Sequence, residues 1–382
     1  MAAVTRAGWG AVVAVCVGAI TGASERGQQA RSPERPSLEA RLSSIRESGS
    51  LPAVAGAVFT ADGILAQAAV GVRKLGADTP VSGADLWHIG SITKSFTATL
   101  VATFVERGDL KWTQTLGDLV GAERARQYAA VTLEHLLTHR AGLPANVSPA
   151  ITSDLAQSSS PVAAQRQRAA DAVFAVAPLA PPGERYLYSN AGYIVAGAIL
   201  EARTGQPWEE LVRAQVLAPL KLASSGFGPP GPFDALTQPR GHRRQADGRL
   251  LPVEPGVFGD NPAFLGPAGR LHMTIADLAL WGRAHLRGAR GRDGLVRAAT
   301  FQRLHKPPVA GSDYAYGWAI RVIAGRQAIW HNGSNTLWYA AVAFDAEADL
   351  GAALATNGSI AAQAGIESGL AQLFADWRSR RP

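Results

Sequence analysis

Apolar and polar positions along this chain fall into three regimes. The first holds one helix and a pair of strands. Ser37-Leu38-Glu39 opens an amphipathic segment to Glu47, with Ser37 suited to cap it. Two apolar runs follow, Ala53 to Thr60 and Leu65 to Val72, split by Ala61-Asp62-Gly63, which reads as a hairpin. Ser91 to Glu106 is helical in pattern and ends at Arg107-Gly108-Asp109. The second regime, Thr113 to Arg213, is mostly helical. It includes Thr132 to Leu137 and Tyr193 to Arg203, the latter stopped by Thr204-Gly205. Gly226 to Gly269 is rich in Gly, Pro and polar residues, and no regular element is predicted there. In the third regime a helix over Thr274–Leu286 precedes strand-like runs at Ala328–His331, Leu337–Phe344 and Leu350–Thr356. An amphipathic helix from Ala361 to Trp377 closes the chain.

This order predicts an α+β fold. Strands from both ends of the chain share one antiparallel sheet, flanked by the N- and C-terminal helices, with a helical lobe inserted between. The expected domain is 37–382, its α/β part being 37–110 and 270–382 and its helical lobe 111–269.

Composition narrows the class. With 47% hydrophobic and 18% charged residues, the chain is globular and long enough for a sizeable core. The net charge of +7 comes from dispersed arginines, while lysine occurs only at 74, 94, 111, 221 and 306. Without a basic run or face, a nucleic-acid partner is not expected; association with an acidic cell-envelope polymer stays open. Arg6, the apolar run Trp9–Ile20 and the small residues Thr21-Gly22-Ala23 match a cleavable secretory signal, placed at 1–23 and followed by a flexible leader at 24–36. An uncleaved anchor is the alternative, though the run is short for a span. The single cysteine, Cys16, lies within the signal, so the mature chain needs no disulfide, as suits a secreted or periplasmic protein.

Three short motifs carry candidate chemistry. In Ser91-Ile92-Thr93-Lys94 a hydroxyl and an amine lie three apart, on one face of a helix that begins here. A helix start offers free N–H groups to an oxyanion, and burial would drive the lysine toward a neutral amine able to act as base. A capping serine and a solvated lysine explain a bare Ser-x-x-Lys equally well. Against that, no other lysine here has a serine three positions before it, and Ile92, Ser95 and Phe96 are not the flanks of an exposed helix. Tyr188-Ser189-Asn190 places a phenol and a carboxamide two apart before a helix: Tyr188 suits proton relay, and Asn190 suits holding a substrate carbonyl, holding the lysine, or capping the helix. Trp330-His331-Asn332-Gly333-Ser334 ends a strand-like run, where His331 offers a donor and the Ser334 N–H a second oxyanion contact. His88-Ile89-Gly90 also fits His-x-Gly, but runs straight into the Ser91 turn.

Taken together, Ser91-x-x-Lys94, Tyr188-x-Asn190 and His331-x-Gly333 resemble, in order and spacing, the serine β-lactamase-like family. That family holds class C β-lactamases, penicillin-binding D-alanyl-D-alanine carboxypeptidases and related esterases. Leu136 to Pro144, Pro267 to Leu271 and Tyr316-Gly317-Trp318 extend the likeness across about Ser37–Trp377. The resemblance implies Ser91 as nucleophile, Lys94 as base and Tyr188 as proton relay, with Lys94 or Tyr188 taking the serine proton. It implies Asn190, His331, Asn332 and Gly333 around the substrate, and the Ser334 N–H in an oxyanion hole. Class C β-lactamases resemble Lys-Thr-Gly at the third motif; His331-Asn332-Gly333 is closer to the D-peptidases and esterases. The expected partner is therefore a small-molecule or peptide substrate, cleaved through a Ser acyl-enzyme. A non-catalytic sensor of penicillins or peptidoglycan peptides is the alternative. His135 and His139 beside Glu134 invite a zinc reading, but the glutamate is on the wrong side for His-Glu-x-x-His and no third ligand is evident. With no P-loop and no Gly-x-Gly-x-x-Gly after a strand, no cofactor is expected.

Overall fold

The computed structural model of the protein describes residues 36–256 and 259–379. The expected signal, and the expected leader apart from residue 36, lie outside the described residues. No described helix is long and apolar enough to cross a membrane.

The first helix, α1 (Leu38–Ser48), starts where Ser37 Oγ accepts the Ala40 N–H at 3.2 Å. Strands β1 (Ala53–Phe59) and β2 (Ile64–Gly71) form the expected hairpin. Short β3 (Leu86–His88) leads into the 3₁₀ turn Gly90–Ile92 and helix α2 (Thr93–Glu106). Farther on lie β4 (Gly226–Phe227), β5 (Gly241–Arg244), β6 (Leu250–Val253) and β7 (Leu271–Thr274). The chain closes with β8 (Ala319–Ile323), β9 (Arg326–Gly333), β10 (Tyr339–Asp345), β11 (Leu350–Thr356) and the helix Gln363–Arg378.

The main sheet is antiparallel, in the order β2-β1-β11-β10-β9-β8. Val54 faces Thr356 and Phe59 faces Gly351, so the two ends of the chain meet at the sheet's centre, as the hydrophobic pattern predicts. The two-residue period of a strand divides the core. In β1, Val54 and Val58 join Leu42 of α1 and Leu370 and Phe374 of the last helix, whereas Ala55, Ala57 and Phe59 face the layer built around α2 and the helix Ile275–Ala289. Helix α2 is buried from Thr93 to Phe104, polar residues included: Phe96 stacks on Trp281 of the helix Ile275–Ala289, and the Thr97 and Thr99 hydroxyls donate to the Pro267 and Ser95 carbonyls.

Two stretches depart from expectation. β5 and β6 pair as a hairpin inside the stretch expected to be irregular, and β3, β7 and β4 form a separate three-stranded sheet. Strands of two to four residues are too short for periodicity to reveal.

The lobe grips the site through a buried cation. Arg166 is fully buried on the helix Val162–Phe174. It pairs with Glu201 and with Glu209 (2.7 Å), and its Nε donates to the Phe264 carbonyl at 3.2 Å. Gly197 lies so close to Pro267 that a Cβ there would come within 2.4 Å of the ring. Residues 264–268, one of which contacts Lys94, are thereby fastened to two lobe helices. Arg166→Met strands two carboxylates and should cost about 3–5 kcal/mol in denaturant unfolding; an unchanged midpoint would contradict this role.

Candidate active site

The Ser91 turn is shaped by a glycine. Gly90 has φ +49°, and its carbonyl accepts the Thr93 hydroxyl at 2.7 Å, while the Leu271 N–H donates to that hydroxyl at 3.2 Å. Ser91 therefore sits in the 3₁₀ turn just ahead of α2 rather than in its first α-turn. The geometry still places Lys94 Nζ 2.9 Å from Ser91 Oγ.

Lys94 is fully buried and has three polar neighbours. Nζ lies 2.7 Å from Asn190 Oδ1 and 2.7 Å from the Ala268 carbonyl, besides the serine. The first two only accept, whereas the serine hydroxyl can also donate. A neutral amine, with two N–H bonds and one lone pair, fits this set: it donates to Asn190 and Ala268 and receives the Ser91 proton. Burial holds the Lys94 amine well below the ordinary lysine range, with no carboxylate to counter it.

Tyr188 stands beside both Ser91 and Lys94. Its ring is 4.9 Å from Lys94 Nζ, and more than a third of its surface is exposed while the phenol group itself is desolvated. Burial pushes the phenol well up and a hydrogen bond with Ser91 only partly offsets this, so it is protonated at neutral pH. The amine and the phenol are pushed in opposite senses, as a base and an acid require.

The Tyr188 loop is clamped by residues 139–146. The Leu187 N–H donates to the His139 carbonyl at 2.8 Å and the Ser189 N–H to His139 Nδ1 at 3.1 Å. Ser189 Oγ donates to the Pro144 carbonyl at 2.6 Å and accepts the Gly192 N–H at 3.1 Å. Ser189, not Asn190, is thus the cap of the helix Asn190–Thr204. Asn190 instead bridges, accepting from Lys94 and donating to Asn146 Oδ1 at 2.7 Å.

In the sequence His139 figures as half of a metal-like pair and within the Leu136–Pro144 run, with no role of its own. The two histidines part company. His135 Nδ1 accepts the Thr132 N–H at 3.2 Å and caps its own helix, whereas His139, at φ +58°, turns into the site. Its ring packs against Tyr188 (4.3 Å), Tyr314 (4.6 Å) and Tyr193 (5.4 Å). Burial, then Lys94 and His331, hold it well below the usual histidine range, so it adds no charge beside the lysine.

The third motif divides by strand parity. His331 faces the Ser91 layer, where Nε2 lies 3.1 Å from the Tyr314 hydroxyl and Nδ1 lies 2.5 Å from the Asn332 carbonyl. The carbonyl can only accept, so the proton is on Nδ1 and Tyr314 donates to Nε2. Burial, with a smaller push from Lys94, lowers the His331 pKa to about 3. Both nitrogens are occupied in a neutral ring, so the expected substrate donor is engaged within the protein. Asn332 corrects the expectation of a substrate contact. One residue along the strand, it points to the opposite face, where Nδ2 donates to the Tyr339 hydroxyl at 2.6 Å and approaches Glu367 at 3.4 Å.

Gly333 and Ser334 close against the Ser91 turn backbone to backbone. A Cβ on Gly90 would come 2.2 Å from the Ser334 nitrogen, and one on Gly333 would come 2.0 Å from the Ile89 oxygen and 2.4 Å from the Ser91 nitrogen. Two glycines allow this approach, which brings the Ser91 and Ser334 backbone nitrogens to one contact between the turns. The Ser334 hydroxyl is occupied in its own turn, donating to the Trp338 carbonyl at 2.5 Å and accepting from the Thr336 N–H. Beside it, β8 pairing ends at Ala319 opposite Trp330, so β8 leaves the main chain of His331–Gly333 unpaired on that side.

A serine on a helix-start turn, a buried lysine, a protonated tyrosine and paired N–H groups, on an antiparallel sheet with a helical lobe, define the acyl-transfer class of serine hydrolase. The Beta-lactamase family model matches residues 38–375, and the chain belongs to that family of serine hydrolases. It is 29% identical over 337 residues to penicillin-binding protein 4 of Amycolatopsis lactamdurans, covering 84% of each chain. It is 27% identical over 285 residues to an unguisins hydrolase of Aspergillus campestris, covering 67% of this chain and 49% of that one. Among solved structures, the octameric penicillin-binding protein homologue from Pyrococcus abyssi shares the fold at TM-score 0.73 and 24% identity, covering 88% of this chain and 77% of that one. A penicillin-binding protein from Bacillus halodurans matches at TM-score 0.68 and 24% identity, covering 87% and 99%.

Gly333→Ala tests the backbone contact. A methyl group there must part the two turns, so acylation of Ser91 by a fluorophosphonate probe should slow by about 10²-fold. A wild-type acylation rate would show that the close approach is not needed.

Proposed function

We propose that this protein hydrolyses small esters and D-amino-acid amides through an acyl-enzyme on Ser91, with β-lactams as slow acylators. The observation that carries this reading is the buried Lys94 amine, whose three neighbours suit a neutral base. Ser91 gives its proton to Lys94 as its oxygen bonds to the substrate carbonyl carbon. The carbonyl π pair moves to oxygen and is held between the Ser91 and Ser334 N–H groups. As that pair returns, the bond to the leaving group breaks and Tyr188 protonates the departing oxygen or nitrogen. Tyr188 is restored by the proton held on Lys94. Water then attacks the acyl-enzyme by the same route, releasing the acid and free Ser91.

A raised phenol is a poor resting base, which favours Lys94 over Tyr188 for the first proton. The neutral His331 offers no permanent positive charge to a substrate carboxylate, so esters should turn over faster than carboxylate-bearing D-peptides. The relatives' names, a penicillin-binding protein and a hydrolase, agree with this range of acyl substrates. With the charged-then-apolar N-terminal pattern, we place the activity outside the cytoplasm. The second reading, a penicillin or peptide sensor, rests on the penicillin-binding relative and requires an acyl-enzyme that does not hydrolyse.

One panel decides between them: a nitrophenyl acetate, a D-Ala-D-Ala peptide and a chromogenic cephalosporin, each with wild type and Ser91→Ala. Ester turnover in the wild type, falling by about 10³-fold or more in the variant, is the expected result. Turnover that survives the substitution would refute the mechanism. Stoichiometric labelling without release would favour the sensor.

A further inference from the structure

Beneath the Ser91 turn lies a buried carboxylate outside the chemistry described above. Asp260 has a side chain 2% exposed, and every group around it is a donor. Its Oδ1 lies 2.8 Å from His88 Nε2 and accepts from Asn335 Nδ2 at 2.9 Å and from the Asn261 N–H at 2.7 Å. Its Oδ2 accepts from Arg270 Nε at 3.2 Å. The His88 contact is close but not straight, since the ring N–H is not aimed along it. His88 Nδ1 accepts the Gly90 N–H at 3.1 Å, which leaves Nε2 as the ring nitrogen that faces Asp260. Burial pushes the Asp260 carboxyl up, but His88, Arg270 and Asn335 outweigh this and keep it ionised.

These contacts run in two directions. Through His88 the carboxylate reaches Gly90, whose backbone sets the Ser91 N–H. Through Asn335, whose Oδ1 accepts the Leu337 N–H at 3.2 Å, it reaches the turn that carries the Ser334 N–H. The two halves of the paired N–H site come from distant parts of the chain, and the Gly90–Gly333 approach and an edge-on contact of Trp87 with Trp338 at 6.1 Å also join them.

We infer that Asp260 is a positioning residue that ties the Ser91 turn to the Ser334 turn through His88 and Asn335, and so sets the spacing of the oxyanion donors. This rests on the reading of Ser91 as the acylated residue. Asparagine has the same shape but turns an N–H₂ toward one set of donors, so Asp260→Asn loosens the bracket without emptying the site.

The test measures ester turnover and amide hydrogen exchange in wild type, Asp260→Asn and Asn335→Ala. Asp260→Asn should lower kcat by about 10–10²-fold with KM within about twofold, since misplaced donors weaken the transition state more than the ground state. Exchange should quicken together over residues 88–92 and 333–337, and stay at wild-type rates over the central strand β11. Asn335→Ala should affect the same two segments, and the double variant should be less impaired than the product of the two. The inference is overturned by unchanged kcat, by loss confined to KM, by exchange rising in one segment only, or by exchange rising throughout the sheet. A wild type without Ser91-dependent turnover would remove the functional reading, while the exchange data would still decide whether Asp260 joins the two turns.

Discussion

One amine, buried without a counter-ion, sets the terms for this molecule. Lys94 is placed between the sheet and the lobe, where charge is costly, and is surrounded by oxygen atoms rather than by a carboxylate. Such an arrangement is expensive for an ammonium and tolerable for an amine. The folded state therefore holds fewer protons than the unfolded chain between the lowered lysine value and 10.5, so this group makes stability rise with pH across that window. What burial costs the fold, it returns as a base positioned beside a hydroxyl.

Each partner of Lys94 comes from a different part of the chain. Ser91 comes with the turn before α2, Asn190 with the first residue of a lobe helix, and Ala268 with a segment held by Arg166. The sheet supplies the Ser334 turn from the far end of the sequence, and β1 and β11 join the ends so that it can meet the Ser91 turn. Neutral His139 and His331 line the same layer without adding a second positive charge, which would otherwise lower the lysine further or be lowered by it. The lobe and the sheet are thus two halves of one charge environment.

Much of this was legible in the residues, and the remainder was hidden for physical reasons. The hairpin, the shared sheet, the end helices and the Ser91–Lys94 pair follow from periodicity and helical spacing. β3, β4 and β7 escaped because a few residues carry no period, and their pairing is set by tertiary contact. Asn332 turns away from the site because neighbouring residues of a strand face opposite ways, which a three-residue motif does not reveal. His139 turns into the site through a left-handed backbone conformation that is invisible before folding. Asp260 stands in a Gly- and Pro-rich stretch where a carboxylate usually meets solvent, and only the fold brings four donors around it.

The protonation state of Lys94 tests the account most directly. Lysine labelled at the side chain has few signals here, since the chain holds five lysines beyond its arginines. Comparison with Lys94→Arg assigns the site, and the Nζ and Cε shifts can be followed by NMR as pH is varied. The account predicts a neutral amine well below the ordinary midpoint of 10.5, with kcat/KM falling on the acid side as the same group takes its proton. An amine that stays protonated up to the ordinary lysine range would contradict it.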